Sequence, residues 1–549
     1  MGILFFLLLI GPLIFFHELG HFAAARVFGV KCEQFAIGFG PAVARWRPGE
    51  TEYSLRALPL GGYVQMLGMF PEEEIDSADE GRALHDKPKW QRMIIYLAGP
   101  VMNLLIPIPI FFLVLFAAAE RTASVAGVVA PDSPAAAAGL MDGDEIVAVD
   151  GSPVRFFDQL TARIRHRPGE EISLTVLRDG DELELTLVPE SVLVRDSFVG
   201  LRVVETGRIG IMAARFAPII DVVPEGPADA AGLLTFDRIE RVDGEPVASW
   251  HELRSLLEAS RGMEVTLDVL RTGRGPEQLG RLYLLEPVSL ALQADEVTAL
   301  GIRSAEATVF EVLPGSPAAD AGLMYGDRVV GIDGRTHESL LPVLERLHAE
   351  PDRSHLLDIE RNGERITVSF TPSVRTVTAE FRQEREHTFI GFRGRLDYEA
   401  PELRPMTLGQ RLWYAFSRSF AETFGFIGAM ILGVWYLIVG TIDTSALGGP
   451  ILIADLASQA GHAGWEPFLR MMAIISVNLG IINLLPLPGL DGGHLMILTV
   501  ESIKRGPISN RTRQILNFVG IVTIVLLMLF AFKNDIERYW IDVRNWLNS

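Results

Sequence analysis

The residues best suited to chemistry are His17, Glu18 and His21, which form a His-Glu-x-x-His pattern near the start of the chain. On a helix the two histidines project from one face, one turn apart, so both imidazoles can bind one metal ion. Glu18 lies next to His17 and is close enough to take a proton from a water on that metal. The pattern predicts a hydrolytic metal site.

The helix that carries this pattern is apolar on every side. No charged residue occurs between Gly2 and Phe16, and Phe22 and three alanines follow His21. The pattern also arises by chance on amphipathic helices, but this helix has no solvated polar face. Each charged group in a lipid-spanning helix costs roughly 2.5–3.5 kcal/mol on the insertion scales. We therefore expect a metal to compensate for the cluster.

The composition indicates apolar segments joined to ordinary folded domains. The 549 residues are too many for one core, and 49% of them are hydrophobic while 21% are charged. The formal net charge of −20 argues against nucleic acid as a partner. Cys32 is the single cysteine, which excludes an intramolecular disulfide.

Four segments are long and apolar enough to be predicted as transmembrane helices, and they lie at 1–28, 93–119, 468–494 and 515–533. The segment between the first two, 29–92, and the one around 504–513 are rich in Lys and Arg. The positive-inside rule places both in the cytoplasm. The acidic region from 120 to about 405 and both chain ends are then outside.

A fifth apolar stretch at 424–440 carries four glycines. A crossing there would break the parity of the spans and export the second basic loop. We therefore expect the segment 405–450 to form amphipathic helices at the outer membrane surface. A spanning helix remains the alternative, since the hydropathy of 424–440 alone is sufficient.

Three copies of one pattern lie between the second and third predicted spans. In each, an Ala-rich turn closes with Gly and Leu, a strand follows an Asp, and an Asp-Gly turn ends the strand. The equivalent prolines Pro134, Pro227 and Pro317 are 93 and 90 residues apart, which indicates a true repeat. The middle copy departs from the others at Phe236, where they have glycine.

The order of elements in these copies resembles the PDZ domain, in the circularly arranged form found in bacterial proteases. The copies are expected at 122–191, 206–288 and 298–373. PDZ domains bind extended peptide as an added strand, often capturing a C-terminal carboxylate. The resemblance places candidate grooves at Ile211 and Ile302. Plain spacers or sieves are an equally weighted alternative.

A second polar cluster lies in the third predicted span, where Asp491 precedes a Gly-Gly pair. A catalytic zinc usually has three protein ligands and an open position for water, and Asp491 can supply the missing oxygen. Pro486 and Pro488 break the helix, and the freed backbone groups could pair with an unwound substrate. Asn483 is suited to stabilise an oxyanion, or else to bond the freed carbonyls. His494 is expected at the membrane edge.

Together, the pattern at 17–21 and the segment 483–493 resemble the site-2 protease family, with the closest match to its bacterial RseP branch. The resemblance includes 98–103 in the second span and 448–451 before the third. Two further stretches look like the membrane re-entrant β-hairpin loop of that branch, and their glycines are Gly38, Gly40, Gly61 and Gly62. These two stretches could hold an unwound substrate as an added strand.

The resemblance implies a polytopic α-helical protein of the bacterial inner membrane, with a re-entrant β-hairpin loop and three extracytoplasmic PDZ-like α+β domains. It implies that His17, His21 and Asp491 hold Zn²⁺ and that Glu18 is the general base. The implied substrates are single-pass membrane proteins, cut in the bilayer after another protease has removed their outer domain. An anti-sigma factor in a stress response and signal-peptide remnants are examples. RseP relatives usually carry two PDZ domains, so a third leaves the geometry of the substrate filter open.

Two other functions compete with proteolysis. A membrane-anchored PDZ scaffold without activity would need no buried His, Glu and Asp. A metal transporter generally needs a continuous polar path, whereas the sequence offers one polar cluster. Zinc retention without peptide cleavage would favour the transporter, and absence of zinc the scaffold.

Overall fold

The computed structural model describes the chain apart from residues 1, 70–74, 132, 179, 196–202, 273–284, 294–298, 338, 379–383, 396, 441–443, 445–446 and 549. Part of the expected interfacial segment 405–450, and residue 298 at which the third copy was expected to begin, lie outside the described residues. The described residues form apolar helices, a small sheet beside these helices, and three repeated α+β units.

The helices include two 14-residue segments and one of 39 residues. In chain order they are α1 (Gly2–Val27), α2 (Lys89–Leu105), α3 (Pro107–Ala117), α4 (Pro134–Ala137), α5 (Phe157–Arg165), α6 (Pro227–Ala230), α7 (Trp250–Ala259), α8 (Pro317–Asp320), α9 (Leu340–Ala349), α10 (Leu408–Ile438), α11 (Pro450–Ala463), α12 (Trp465–Leu484), α13 (Asp491–Lys504) and α14 (Asn510–Asn548). Short 3-10 helices occur at Ser77–Asp79, Leu84–Asp86 and Ala305–Ala307.

The strands are short except in the sheet beside α1. In chain order they are β1 (Cys32–Trp46), β2 (Glu52–Met66), β3 (Glu120–Thr122), β4 (Val128–Val129), β5 (Glu145–Val149), β6 (Ser152–Pro153), β7 (Ile172–Arg178), β8 (Asp181–Leu187), β9 (Glu190–Arg195), β10 (Val203–Arg208), β11 (Ile211–Met212), β12 (Arg215–Phe216), β13 (Ile220–Val222), β14 (Arg238–Val242), β15 (Glu245–Pro246), β16 (Glu264–Thr272), β17 (Leu285–Gln293), β18 (Ile302–Ser304), β19 (Val309–Val312), β20 (Arg328–Ile332), β21 (Arg335–Thr336), β22 (His355–Arg361), β23 (Glu364–Phe370), β24 (Ser373–Thr378), β25 (Glu384–Phe389), β26 (Phe392–Gly394), β27 (Tyr398–Glu399) and β28 (Leu403–Pro405).

Five helical stretches in the described part of the chain are long and apolar enough to cross a membrane. They are Leu4–Val27, Lys89–Ala117, Leu408–Ile438, Trp465–Leu484 and Arg511–Glu537. Four of them overlap the predicted spans. The fifth is α10, which runs without interruption through the glycine-rich stretch that was expected to lie at the surface. Length and composition thus leave both the interfacial and the spanning alternatives for α10 in place.

The sheet beside α1 contains only β1 and β2, but β2 bends and pairs with β1 on both sides. Residues 34–37 of β1 pair with 62–65 and also with 52–55 of β2. The segment 62–66 is therefore an edge of this sheet, and no other described strand pairs with its outer side. This edge packs against α1 near the His-Glu-x-x-His pattern.

The three repeats share one architecture, in which a four-stranded sheet covers a helix. The sheet orders are β6-β5-β7-β8, β15-β14-β16-β17 and β21-β20-β22-β23, and each unit has its own apolar core. In each unit a buried Asp also forms an ion pair with an Arg, which follows it by 34 residues in the sequence. The pairs, at 2.6–2.7 Å, are Asp144–Arg178, Asp237–Arg271 and Asp327–Arg361.

In each unit, the strand that completes the fold is the last one of that unit in the sequence, and it pairs with a strand near the start of the unit. β11 pairs with β4, β18 with β13, and β26 with β19. Residues 206–212 therefore complete the first unit, whereas the sequence-derived boundaries assigned them to the second copy. Likewise, β18 completes the second unit and β26 the third, beyond its expected end at 373. The cause is the circular arrangement, which separates the closing strand from the rest of its own unit.

The repeats leave and rejoin the helices through one two-stranded ribbon. β3 pairs with β28, so that Thr122 lies opposite Leu403. The first unit is attached next to this ribbon, because the Tyr414 hydroxyl of α10 donates to Asp158 of α5 at 2.6 Å. Ion pairs Arg208–Glu345 (3.3 Å) and Arg303–Glu360 (3.0 Å) join the third unit to the first and second.

One buried acid in the third unit makes the stability of the repeats depend on pH. Burial raises the pKa of Glu306 to about 7 from its ordinary 4.5, despite the nearby guanidinium of Arg328. Its stabilising effect is present below pH 4.5 and is lost as the pH rises through 7. Since one pKa unit corresponds to about 1.4 kcal/mol, the loss amounts to about 3 kcal/mol.

We therefore expect Glu306→Gln to raise the thermal unfolding temperature of the full chain at pH 8 but not at pH 5. Calorimetry at the two pH values measures this difference. The exposed Glu364 is the matched control, and Glu364→Gln should change neither value. An equal effect of Glu306→Gln at both pH values would contradict the assignment.

Candidate metal centre

Two of the three converging side chains come from α1. His17 and His21 lie one helical turn apart, both are at most 9% exposed, and their Nε2 atoms are 3.3 Å apart. The Nδ1–H of His21 donates to the backbone carbonyl of Ile95 on α2 at 2.8 Å. In the neutral imidazole, the Nε2 of His21 therefore carries a lone pair that points towards His17.

The third side chain comes from the far end of the chain. Asp491 is the first residue of α13, directly after the helix break at 485–490. Its Oδ2 lies 3.2 Å from the Nε2 of His17, and its Oδ1 lies 3.3 Å from the Nε2 of His21. Two proline residues in the break end the α12 hydrogen-bond ladder, which lets the chain turn and begin α13 at this position.

The donor set and its spacing fit a zinc ion. Two ligands bound at 2.0–2.1 Å to a tetrahedral zinc are about 3.3 Å apart, which is the separation of the two imidazole Nε2 atoms, 3.3 Å. Each of these nitrogens has a different oxygen of Asp491 at 3.2 or 3.3 Å. Two imidazoles and one carboxylate also match the ligand types of catalytic zinc sites, which keep a fourth position open. In the described part of the chain, His17, His21 and Asp491 form a compact group whose possible ligand atoms lie within 4.8 Å of one another.

A cavity of about 280 Å³ opens beside these three side chains. Glu18, which is 9% exposed, and Asn483 both line it. The outer edge of β2 forms one wall, through Gly62 and Val64 among others. The full lining is His17, Glu18, His21, Gly62, Tyr63, Val64, Met66, Met69, Tyr96, Asn483, Gly489, Leu490, Asp491 and His494.

Glycines allow the elements around the centre to approach one another closely. A Cβ on Gly99 of α2 would overlap the imidazole of His21, and a Cβ on Gly20 would overlap the carbonyl of Ala98. A Cβ on Gly62 would lie 2.9 Å from the Cγ of Glu18. These glycines therefore bring α2 and the edge of β2 against the face of α1 that carries His17, Glu18 and His21.

Comparison with known proteins agrees with this geometry. A family model described as Peptidase family M50 matches residues 5–527. The chain belongs to Peptidase family M50. Membership in this site-2 protease family makes the protein an intramembrane zinc metalloprotease.

Full-length relatives are similar along the whole chain. The regulator of sigma-E protease RseP of Salmonella typhimurium is 29% identical over 548 residues, which cover 97% of this chain and 98% of the relative. Its Escherichia coli namesake is 29% identical over 540 residues, with the same two coverages. A Ralstonia nicotianae protein, whose name describes a zinc metalloprotease, is 30% identical over 560 residues, which cover 98% and 99%.

The structure brings only some of the predicted substrate-binding residues to the centre. Gly62 lines the cavity, whereas Gly38, Gly40, Gly61 and Pro486 do not. The other two predicted residues, at 211 and 302, lie on the closing strands of the first and second repeat units.

Sequence reasoning missed part of the wall. His494, which was expected at the membrane edge and not at the site, lines the cavity and stacks on Tyr96 with ring centroids 4.6 Å apart. The first turn of α13 carries both Asp491 and His494, which places them on the same side of the helix. The three-residue spacing was the available signal.

The contact between Gly99 and His21 yields a test of the centre. We expect Gly99→Ala to displace the imidazole of His21 and to lower zinc affinity at least about tenfold, as disturbed ligand orientation does at other metal sites. Zinc content after dialysis against a chelator measures the effect. Gly11→Ala on α1 is the control, because nothing lies within 4 Å of the added atom. Equal zinc retention by both variants would contradict the packing described.

Proposed function

We propose that His17, His21 and Asp491 hold the zinc ion and that Glu18 is the general base of peptide-bond hydrolysis. The observation that carries the proposal is the convergence of two imidazole nitrogens and the carboxylate of Asp491, with neighbouring nitrogen and oxygen atoms 3.2–3.3 Å apart. The open cavity beside them, which Glu18 also lines, leaves room for water and a peptide.

Zinc, when bound, supplies a Lewis acid that activates water and polarises the scissile carbonyl. Glu18 follows His17 on the cavity side of α1, and its carboxylate accepts the proton of the attacking water. The same carboxyl group can then deliver that proton to the leaving amine. The side-chain amide of Asn483 donates a hydrogen bond to the oxyanion that develops on the carbonyl.

A transmembrane substrate must expose its backbone before it is cut, since the carbonyls of a helix are already hydrogen-bonded. The outer edge of β2 at 62–66 supports a proposal for how the unwound segment is held. This edge pairs with no other strand in the described part of the chain, and it borders the cavity. An extended substrate added to it would run past Glu18 as one more strand.

We propose four membrane crossings, with α10 lying obliquely near the outer surface. Arg411 of α10 donates to the carbonyl of Phe116 at 3.0 Å, and Phe426 stacks on Phe111. Glu422 also pairs with Arg470 near the start of α12 at 3.2 Å. These contacts hold α10 against α3 and α12. The basic residues that follow the third span support four crossings, because a fifth would place them outside, and both chain ends are then outside.

We propose that the three repeats are PDZ-like domains on the extracytoplasmic side of a bacterial inner membrane, where they act as a substrate filter. Their repeated fold and the attachment of the first unit beside the ribbon support a position above the helices. Ile211 and Ile302 lie on closing strands with which a peptide could pair.

We propose that the substrates are single-pass membrane proteins already shortened by another protease. Relatives named regulator of sigma-E protease favour an anti-sigma factor and a role in stress signalling. Signal-peptide remnants have the same single-helix character. A scaffold without activity is disfavoured, because it would retain a buried cluster of His, Glu and Asp without use for it.

Glu18→Gln tests the catalytic assignment. Loss of the general base should lower cleavage of a single-span substrate by about 10²–10⁴-fold, while zinc content stays at the wild-type value because no ligand is removed. Cleavage in detergent and zinc content of the same sample are the measurements. The exposed Glu80 provides the control variant Glu80→Gln. Cleavage within a few-fold of wild type would refute the role of Glu18.

Excision of the repeats tests the filter. Because Thr122 lies opposite Leu403 in the ribbon, a short turn can join them and close the gap without strain. We expect the shortened enzyme to cleave full-length single-pass proteins that the intact enzyme leaves uncut. Glu18→Gln in the shortened chain is the control for contaminating proteases. Unchanged selectivity towards pre-shortened substrates would rule out a filter.

A further inference from the structure

Asn103 is a fully buried polar residue on α2 that contacts the candidate centre directly. Its side-chain amide lies 3.1 Å from the Nδ1 of His17, and its exposed fraction is 0%. Its backbone carbonyl accepts a hydrogen bond from the Ser476 hydroxyl of α12 at 2.7 Å. A buried amide in an apolar helix is costly unless its hydrogen bonds are made, so the contact with His17 needs an explanation.

The protonation of the His17 ring explains it. The Nε2 of His17 faces His21 and Asp491, and a nitrogen that binds a metal must be unprotonated. The ring proton of a neutral imidazole is then on Nδ1, which must donate to an acceptor. Among the described residues, the side-chain amide of Asn103 is the hydrogen-bond partner of this nitrogen, and only the oxygen of that amide can accept.

The oxygen and the NH₂ group of the Asn103 amide have nearly the same shape, so the hydrogen-bonding neighbours decide which of them faces His17. With the NH₂ group towards Nδ1, the proton of His17 would be on Nε2 and metal binding would be blocked. With Oδ1 towards Nδ1, the oxygen accepts the Nδ1–H of His17 and Nε2 is free to bind a metal.

The neighbouring histidine supports this reading. His21 donates its Nδ1–H to the carbonyl of Ile95, also on α2. Helix α2 therefore provides a hydrogen-bond acceptor for each imidazole. The acceptor is a backbone carbonyl for His21 and a side chain for His17. The backbone acceptor cannot be substituted, whereas Asn103 can.

We infer that Asn103 is a positioning residue that accepts the Nδ1–H of His17 and fixes the tautomer whose Nε2 binds zinc. The inference rests on the proposed function in one respect, that His17 is a zinc ligand. Loss of such an acceptor typically lowers metal affinity 10–100-fold.

The experiment uses the purified full-length chain in detergent and four variants. Zinc affinity is measured by competition with a chromophoric chelator, and the ligand field by the visible absorption of the cobalt-substituted protein. Asn103→Leu removes the acceptor at similar volume, and Asn103→Asp keeps an acceptor without the NH₂ group. Ser476→Ala removes the adjacent hydrogen bond without touching the imidazole and is the matched control. His17→Ala removes the ligand itself.

We expect Asn103→Leu to bind zinc 10–100-fold more weakly and to alter the cobalt spectrum. Asn103→Asp and Ser476→Ala should stay within a few-fold of wild type, with an unchanged spectrum. If Asn103 had only a structural role, Asn103→Asp would not be expected to keep the zinc affinity that Asn103→Leu loses. If Asn103→Leu fails to fold, the acidic variant alone carries the test, and its loss of zinc would overturn the inference.

The outcomes separate the two claims. Full zinc affinity in His17→Ala would defeat the proposed centre. Loss of zinc in His17→Ala together with wild-type affinity in Asn103→Leu would defeat only the role of Asn103.

Discussion

The arrangement of the helices depends on one electrostatic constraint, the meeting of two imidazoles and a carboxylate inside an apolar bundle. The two imidazole Nε2 atoms are 3.3 Å apart, and each has a different oxygen of Asp491 at 3.2 or 3.3 Å, where unshielded electron pairs would repel one another. Burial of such groups without a partner costs several kcal/mol per group. A divalent cation bound at the place where α1, α2 and α13 meet would remove both problems at once.

The surrounding breaks and close contacts follow from the same constraint. Asp491 reaches α1 only because α12 stops at Leu484 and a new helix begins after the prolines. At the first position of α13, its carboxylate also benefits from the positive end of the helix dipole. A Cβ on Gly492 would overlap the carbonyls of the preceding turn, so the tight return to α13 needs glycine there. The broken segment contributes its backbone to the same cavity that the substrate must enter.

The candidate ligands and the candidate base could be selected from the sequence because each has a local signal. His17, Glu18 and His21 lie within one turn, and Asp491 is marked by the prolines and glycines around it. Asn103 could not be found in this way. It is 86 residues from His17, and the contact depends on how α2 packs on α1. Its only local signal is a polar side chain in an apolar helix, a feature that also fits simple helix–helix packing.

The repeats show a second limit of sequence reasoning. The repeated prolines and Asp-Gly turns identified three units, but the closing strands were assigned to the wrong copies because their pairing partners lie about 80 residues earlier. Likewise, hydropathy identified α10 as apolar without giving its direction, which depends on contacts such as Phe426 with Phe111.

X-ray absorption at the zinc edge of the purified protein is the most direct measurement of the metal centre. We expect a first shell of only nitrogen and oxygen at about 2.0–2.1 Å, with outer-shell scattering from two imidazoles that falls to one in His17→Ala. A sulfur ligand, a third imidazole, or folded protein that takes up no zinc would contradict a centre built from His17, His21 and Asp491.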